Sequence, residues 1–84
     1  MKRILIVEDQ PDIRKLIRMT LEFEPYDVHE ASDGVSGLRV AGEVKPDLML
    51  LDVMMPGELD GLQVCKAIKA NAELRHIRVI LLTA

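Results

Sequence analysis

Three short apolar runs constrain the fold of this chain most strongly. They are "RILIV" at 3–7, "DLMLLD" at 47–52 and "IRVILLTA" at 77–84. Each has the length of a strand and is largely continuous in its apolar residues, which is typical of strands buried on both faces of a parallel sheet. A fourth run, "YDVHEA" at 26–31, alternates between apolar and polar residues and predicts a shorter, half-exposed strand.

Segments with helical periodicity separate these runs. Pro11 suits the first turn of a helix, and the spacing of the apolar residues after it predicts a helix over 11–23. A second helix is predicted over 34–44, and Asp60 is placed to cap a third. The inward-facing positions are predicted to be Ile13, Leu16, Ile17, Leu21, Val35, Leu38, Ala41, Val44, Leu62, Cys65, Ile68 and Ala72.

This alternation of strands and helices predicts the fold class. The order β-α-β-α-β-α-β indicates an α/β fold, in which right-handed crossovers connect the strands of one parallel sheet. A chain of 84 residues is long enough for a single domain, 1–84. Because it contains no Trp and only one Tyr and one Phe, its core must be built from Val, Ile, Leu, Met and Ala.

Composition argues against several classes of function. A net charge of −3 without a basic block gives no general attraction to nucleic acid, so no direct nucleic-acid contact is predicted. The apolar run near the N-terminus is too short for a signal peptide or a membrane span, and no membrane partner is expected. A single cysteine, Cys65, excludes an internal disulfide and fits a reducing, cytoplasmic location.

Carboxylates stand at the ends of two predicted strands. Glu8 and Asp9 follow the first strand, and Asp52 ends the third. Ligands of open parallel sheets bind at the carboxyl ends of the strands. If the two strands are neighbours, these groups would repel one another unless a cation lay among them or some of them remained protonated. Oxygen ligands of this kind suit a hard divalent cation such as Mg²⁺. The fourth strand brings the hydroxyl of Thr83 to the same edge, where it can donate to an oxyanion.

This arrangement favours phosphoryl transfer onto a carboxylate, in which an aspartate oxygen attacks phosphorus. A phosphohydrolase of the haloacid dehalogenase type also phosphorylates a strand-end Asp, but it needs a second Asp where Met54 stands here. Nucleotide-binding folds place a glycine-rich turn after the first strand. The sequence "VEDQPD" at that place is acidic, which argues against them.

Three segments carry a resemblance to a known family. "ILIVEDQPDIRKLI", "DLMLLDVMMPGELDG" and "VILLTA" resemble the receiver domain of bacterial two-component response regulators, and the similarity covers the whole chain. The resemblance implies a flavodoxin-like (CheY-like) fold, with the strand order 2-1-3-4 for the four strands present. It also implies a phosphoacceptor rather than an enzyme, capable at most of catalysing its own aspartyl phosphorylation and dephosphorylation.

The resemblance assigns roles to the strand-end residues. Asp52 would accept the phosphoryl group from the phosphohistidine of a sensor histidine kinase or a phosphotransfer domain. Mg²⁺ (or Mn²⁺) would be bound directly by Asp9, through water by Glu8, and by Asp52 and the main-chain carbonyl of Met54. Thr83 would be the switch residue, whose hydroxyl moves toward the phosphoryl group.

Further residues receive supporting roles from the same resemblance. Ala84 would be the small residue that leaves room for the phosphoryl group, and Pro56 and Gly61 would shape the loop after the phosphoacceptor. The kinase would dock largely on the first helix, 11–23. The basic residues of that helix are expected to form a solvated face, with kinase docking as a second role; they are Arg14, Lys15 and Arg18.

The sequence departs from the family pattern in two respects. The loop "MPGELDG" is one residue longer than its commonest form. The family fold also has five strands, whereas this sequence ends after the fourth, without the fourth helix, the fifth strand with its lysine, or the fifth helix. The expectation is therefore an incomplete receiver domain that self-associates through the edge of strand four or an uncovered sheet face. The alternative function is a structural, self-associating module without phosphorylation activity.

Overall fold

The computed structural model describes residues 1–83 and has the element order that the sequence predicts. Strands and helices alternate along the chain, beginning and ending with a strand. The elements are β1 (Arg3–Val7), α1 (Pro11–Leu21), β2 (Asp27–Ala31), α2 (Gly34–Val44), β3 (Leu48–Asp52), α3 (Gly61–Ala70) and β4 (Arg78–Leu82).

The strands form one parallel sheet in the order β2-β1-β3-β4. This confirms the predicted α/β class and the predicted strand order. Val7, the last residue of β1, pairs with Ala31 of β2 and Leu51 of β3. The carboxyl ends of β1 and β3 therefore lie side by side, which is the feature that positions the acidic residues.

The larger core lies between the sheet and the α2–α3 layer. Alternation along the strands directs Leu5, Val7, Met49 and Leu51 to this face, and all four are fully buried. Helix α2 packs closely on the sheet at Gly37, where an added Cβ would lie 3.0 Å from the side chain of Val7.

The buried faces of α2 and α3 differ from the predicted ones. The residues that they bury are Gly34, Gly37, Ala41, Gly61, Val64 and Ile68. Val35 and Leu62, predicted to face inward, are exposed, and Ala72 lies beyond the end of α3 and is exposed as well. The prediction is confirmed for Ala41 and Ile68, and Leu38 and Cys65 pack against the core as partly buried residues. It was wrong for the exposed residues because it did not count the glycines, which form the closest part of each helix to its neighbours.

The opposite face of the sheet is covered by α1. Ile4 and Ile6 point to this side and are buried. No residue of α1 is itself buried, and Ile13 and Leu16 are exposed, contrary to the prediction of an inward-facing stripe. Among the described elements α1 is the only helix on this side, so it covers the sheet without being covered by a neighbour.

Element ends agree with the sequence within two residues. Helix α1 ends at Leu21 instead of residue 23, and residues 22–25 form a turn. The predicted cap of α3 is confirmed: Asp60 accepts a hydrogen bond from the Gln63 N–H at 2.9 Å, and the Gln63 side chain accepts one from the Asp60 N–H at 2.9 Å. No helix in residues 1–83 is long and apolar enough to cross a membrane.

Candidate functional site

Three carboxylates meet at the carboxyl ends of β1 and β3. Glu8 and Asp9 directly follow β1, and Asp52 is the last residue of β3. Each offers one oxygen, and these oxygens all lie within 4.8 Å of one another. The structure therefore brings together the three acidic residues that the sequence predicts as metal ligands.

Glu8 is the most buried member of this acidic cluster, with only 7% of the residue exposed. The pKa of Glu8 is raised from 4.5 to about 7, chiefly by burial and then by hydrogen bonds with Asp52 and Asp9 and by repulsion from Asp52. The N–H of Gln10, 3.5 Å from Oε2, opposes the rise. The main electrostatic property of the site is thus that its carboxylates lie close together and are partly shielded from water.

Asp9 contributes an oxygen without a partner. Its Oδ1 is buried and accepts no hydrogen bond from any described residue. A buried carboxylate oxygen is costly to leave unpaired, and it is the kind of donor that Mg²⁺ takes in proteins. The acidic cluster and this orphaned oxygen together fit a hard divalent cation.

Met54 and Thr83 lie at the same place. A cavity of about 280 Å³ is lined by Glu8, Asp52, Met54 and Thr83, with Gln10, Ile13 and Leu82 completing its wall. The Met54 N–H donates to Oδ1 of Asp52 at 3.1 Å, which fixes the carboxylate at the start of the loop. Thr83 is exposed just past the end of β4. The metal role of the Met54 carbonyl and the switch role of Thr83 stay predictions, and Ala84 lies outside the described residues.

The loop after β3 returns to the main chain of Asp52. Gly61 donates its N–H to the carbonyl oxygen of Val53 at 3.1 Å. A Cβ at Gly61 would lie 2.6 Å from Cα of Val53 and closer still to the carbonyl oxygen of Asp52. The first turn of α3 is therefore packed directly against the backbone that carries Asp52. Pro56 is exposed and faces the start of α2 across a shallow cavity.

Lys15 of α1 is exposed, as the sequence predicts, but the two arginines of this helix do not lie on a simple solvated face. Arg14 donates to the side chain of Glu30 on β2 and to the main-chain oxygen of Glu8. Arg18 donates to the side chain of Glu30 and to the main-chain oxygen of Val28. The prediction missed this part of the site for both arginines. The available signal was Glu30 on the neighbouring strand, but strand alternation alone does not show which basic side chain reaches it.

The raised pKa of Glu8 predicts a pH-dependent stability in the metal-free chain. Between pH 4.5 and about 7 the folded chain keeps a proton that unfolded Glu8 has lost, so protonation favours the folded state. This contribution is fully present below pH 4.5 and is lost as the pH rises through about 7. We expect the free energy of unfolding to fall on the order of 3 kcal/mol across this range.

Urea unfolding at about pH 5 and about pH 8 measures this difference. The Glu8→Gln variant cannot titrate at this position, and its free energy of unfolding should change less between the two pH values. Equal changes in the parent chain and the variant would contradict the assignment of the effect to Glu8.

Comparisons with known proteins agree with this geometry. Residues 4–84 match the model of the response regulator receiver domain family. The chain is 42% identical over 84 residues to the DNA-binding dual master transcriptional regulator RpaA of Synechocystis sp., covering 100% of this chain and 34% of RpaA. It is 45% identical over 82 residues to the response regulator PleD of Caulobacter vibrioides, covering 98% of this chain and 18% of PleD.

A solved structure gives the same result for the fold. The N-terminal domain of a response regulator receiver protein from Methanoculleus marisnigri superposes with a TM-score of 0.93 at 36% identity, covering 100% of this chain and 68% of that one. The chain spans about a third or less of the length of the two curated relatives named above. The parallel sheet in the order 2-1-3-4, the acidic strand ends and the match over residues 4–84 lead to one conclusion: the chain belongs to the response regulator receiver domain family.

Proposed function

We propose that this chain is a two-component phosphoacceptor that receives a phosphoryl group on Asp52 in a reaction dependent on Mg²⁺ or Mn²⁺. The observation that carries the proposal is the meeting of three carboxylates at adjacent strand ends, one of which has a buried oxygen without a partner. Membership of the family supports the donor class, a sensor histidine kinase or a phosphotransfer domain.

The residues of the site divide the chemistry among them. An oxygen of Asp52 attacks phosphorus, the bond from phosphorus to the donor's histidine nitrogen breaks, and its electron pair leaves with the imidazole. Asp9, Asp52 and the Met54 carbonyl would bind the cation directly, and Glu8 would bind it through water. A bound divalent cation neutralises charge on the phosphoryl oxygens during transfer. Thr83 would donate its hydroxyl hydrogen to one of these oxygens and act as the switch.

The proposed role is that of a phosphoacceptor and not of an enzyme with a separate substrate. Asp52 is itself modified, and hydrolysis of the aspartyl phosphate returns it to its initial state.

The proposed location is the cytoplasm, where the free thiol of Cys65 is stable. A net charge of −3 supports a function without direct nucleic-acid contact.

Phosphoryl uptake in vitro tests the proposal. The chain is incubated with Mg²⁺ and acetyl phosphate, and its intact mass is measured. We expect one phosphoryl group per chain, and none when a chelator removes the cation, since repulsion among the carboxylates then opposes the approach of an anion. A folded chain that gains no mass in the presence of Mg²⁺ would sink the proposal.

The outer edge of β4 favours a second candidate function, assembly with another copy of the chain. The main-chain N–H of Arg78 donates to the carbonyl oxygen of Asp47, and the carbonyl oxygen of Leu82 accepts from the N–H of Val53. The main-chain hydrogen bonds of Arg78 and Leu82 therefore point toward β3. Main-chain groups alternate in direction along a strand, and Val79 and Leu81 therefore direct their N–H and C=O groups to the outer edge. Within the described residues no strand pairs with that edge.

We propose that two copies pair their β4 strands antiparallel about a two-fold axis through Ile80. Val79 would lie opposite Leu81 of the second copy, and each such pair would exchange both of its N–H···O=C bonds. The residues at this edge are apolar, with Ile80 49% exposed and Leu81 38% exposed. The axis keeps the two Arg78 side chains near opposite ends of the ribbon, so like charges do not meet.

Sedimentation of the 84-residue chain over a range of concentrations tests this pairing. We expect a dimer for the parent chain and a monomer for Leu81→Pro, because proline removes the outward N–H while an edge position tolerates its ring. Leu81→Ala is the matched control, since it shortens the same side chain and keeps the N–H, and it should still dimerise. A monomeric parent chain at high concentration would refute the pairing.

A further inference from the structure

The side chain of Arg14 links the acidic cluster to β2. Its Nη1 donates to the main-chain oxygen of Glu8 at 2.8 Å, and its Nε donates to Oε1 of Glu30 at 2.9 Å. The side chain is only 20% exposed. A guanidinium carries several N–H groups in a rigid fork, which lets it bond two partners in different directions at once. A residue of α1 thus ties the end of β1 to the neighbouring strand.

What Arg14 holds is the peptide between Glu8 and Asp9. The Glu8 N–H donates to the carbonyl oxygen of Ala31 at 3.1 Å, so with Arg14 on its carbonyl both main-chain polar groups of Glu8 have partners. Rotation of this peptide would turn the carboxylates of Glu8 and Asp9 relative to Asp52. Metal ligands bind well only when contacts outside the ligand set fix their orientation. The contact from Arg14 is of this kind.

Glu30 in turn holds Arg14 in place. Its second oxygen accepts a hydrogen bond from Nε of Arg18, and Nη2 of Arg18 donates to the main-chain oxygen of Val28 at 3.1 Å. The hydrogen bond from Arg18, and then that from Arg14, keeps the pKa of Glu30 below its ordinary value, so Glu30 remains an anionic anchor near neutral pH.

Arg39 offers a contrast near the same place. It lines a cavity together with Arg14 and Glu30, but it donates to Glu43 of its own helix at 3.1 Å, and its side chain is 64% exposed. An exposed pair spaced by one helical turn contributes little to stability. Arg39 therefore serves as a matched arginine without a bond to the acidic cluster.

We propose that Arg14 is a positioning residue for the divalent cation, which holds the Glu8–Asp9 peptide so that both carboxylates face Asp52, and that Glu30 fixes Arg14 for this role. The inference rests on the proposed function, since it concerns the same acidic cluster. It assigns a role in cation affinity to residues that touch neither the cation nor the phosphoryl group.

Calorimetric titration of the chain with Mg²⁺ alone tests the inference. We expect Arg14→Met to bind Mg²⁺ about 10-fold more weakly than the parent chain, and Arg39→Met to bind as the parent does. Arg14→Lys should fall between them, because one ammonium group keeps the charge but cannot span both partners. Glu30→Gln should also weaken binding, since it loosens Arg14. Far-UV circular dichroism checks that each variant is folded.

The rate of phosphoryl uptake from acetyl phosphate separates positioning from a general structural effect. If Arg14 acts through the cation site, saturating Mg²⁺ should restore the rate of Arg14→Met to that of the parent chain. Equal Mg²⁺ affinity in Arg14→Met and the parent, or a rate that stays low at saturating Mg²⁺, would overturn the inference and leave the proposed function standing. A parent chain that binds no Mg²⁺ would overturn both. Should Arg14→Met fail to fold, Arg14→Lys and Glu30→Gln decide the matter by the same measurements.

Discussion

The Asp52→Asn variant is expected to gain no phosphoryl group under conditions in which the parent chain gains one. An amide lacks the anionic oxygen that attacks phosphorus, so the chemical step has no nucleophile. The amide oxygen of asparagine can still accept the hydrogen bond that the Met54 N–H donates to Oδ1 of Asp52 at 3.1 Å. The backbone at the end of β3 should therefore keep its conformation, and the loss should be one of chemistry alone.

The same variant is expected to be more stable than the parent chain when no metal is present. It removes one of three carboxylates that lie within 4.8 Å of one another, and Asp52 is both a hydrogen-bond partner and a repelling charge for Glu8. The pKa of Glu8 should fall toward its ordinary value. Relief of this repulsion near a protein surface is worth roughly 1 kcal/mol or more in the free energy of unfolding.

Intact-mass measurement after acetyl phosphate treatment and urea unfolding without metal check the two effects together. Asp12→Asn is the matched control, because Asp12 lies in the first turn of α1 and outside the acidic cluster. It should gain the phosphoryl group as the parent does. Uptake by Asp52→Asn would place the acceptor on another residue, and a loss of both uptake and stability would mean that the substitution had disturbed the fold.

Gly61→Ala is expected to lower the free energy of unfolding by about 2 kcal/mol or more. The new Cβ would lie 2.6 Å from Cα of Val53 and 2.8 Å from the carbonyl carbon of Asp52. These are main-chain atoms, which cannot rotate away as a flexible side chain does. Either α3 moves outward or the end of β3 shifts, and a shift of β3 carries Asp52 with it.

Gly42→Ala is the matched control for this substitution. Gly42 lies inside α2, where a Cβ would meet nothing within 4 Å. Alanine is the better helix former, so this variant should gain about 0.5–1 kcal/mol. Urea unfolding of both variants, followed by circular dichroism, gives the comparison. Similar values for the two variants would show that the approach of α3 to β3 is not tight in solution.

The sequence predicted the acidic cluster because its information is local. A strand-length apolar run followed at once by an acid places that acid at the carboxyl end of a strand, and parallel strands bring such ends to one edge of the sheet. Only the neighbour relation of β1 and β3 had to be assumed, and Val7 and Leu51 are indeed paired. Glu8, Asp9 and Asp52 were therefore within reach of sequence reasoning.

The parts that the sequence did not predict depend on distance in the chain. Arg14 reaches Glu8 and Glu30 because a long side chain crosses from α1 to two strands, and no periodic pattern encodes such a reach. Parts of the inner faces of α2 and α3 were misplaced for a different reason, although Ala41 and Ile68 were predicted correctly. Glycine carries no hydropathy signal, yet Gly34 and Gly61 lie where a side chain would not fit.

Because β1 pairs with β3 only in the folded chain, only the folded chain has the acidic cluster. Asp9 and Asp52 belong to distant parts of the sequence, and only the register of Val7 with Leu51 brings them into one cluster. In the unfolded chain the three carboxylates are far apart and form no site for the divalent cation of the proposed function. An ion that binds only the folded form adds stability that grows with the logarithm of its concentration once it exceeds the dissociation constant. Under the proposed function, the concentration of the divalent cation would therefore set part of the stability of the folded form.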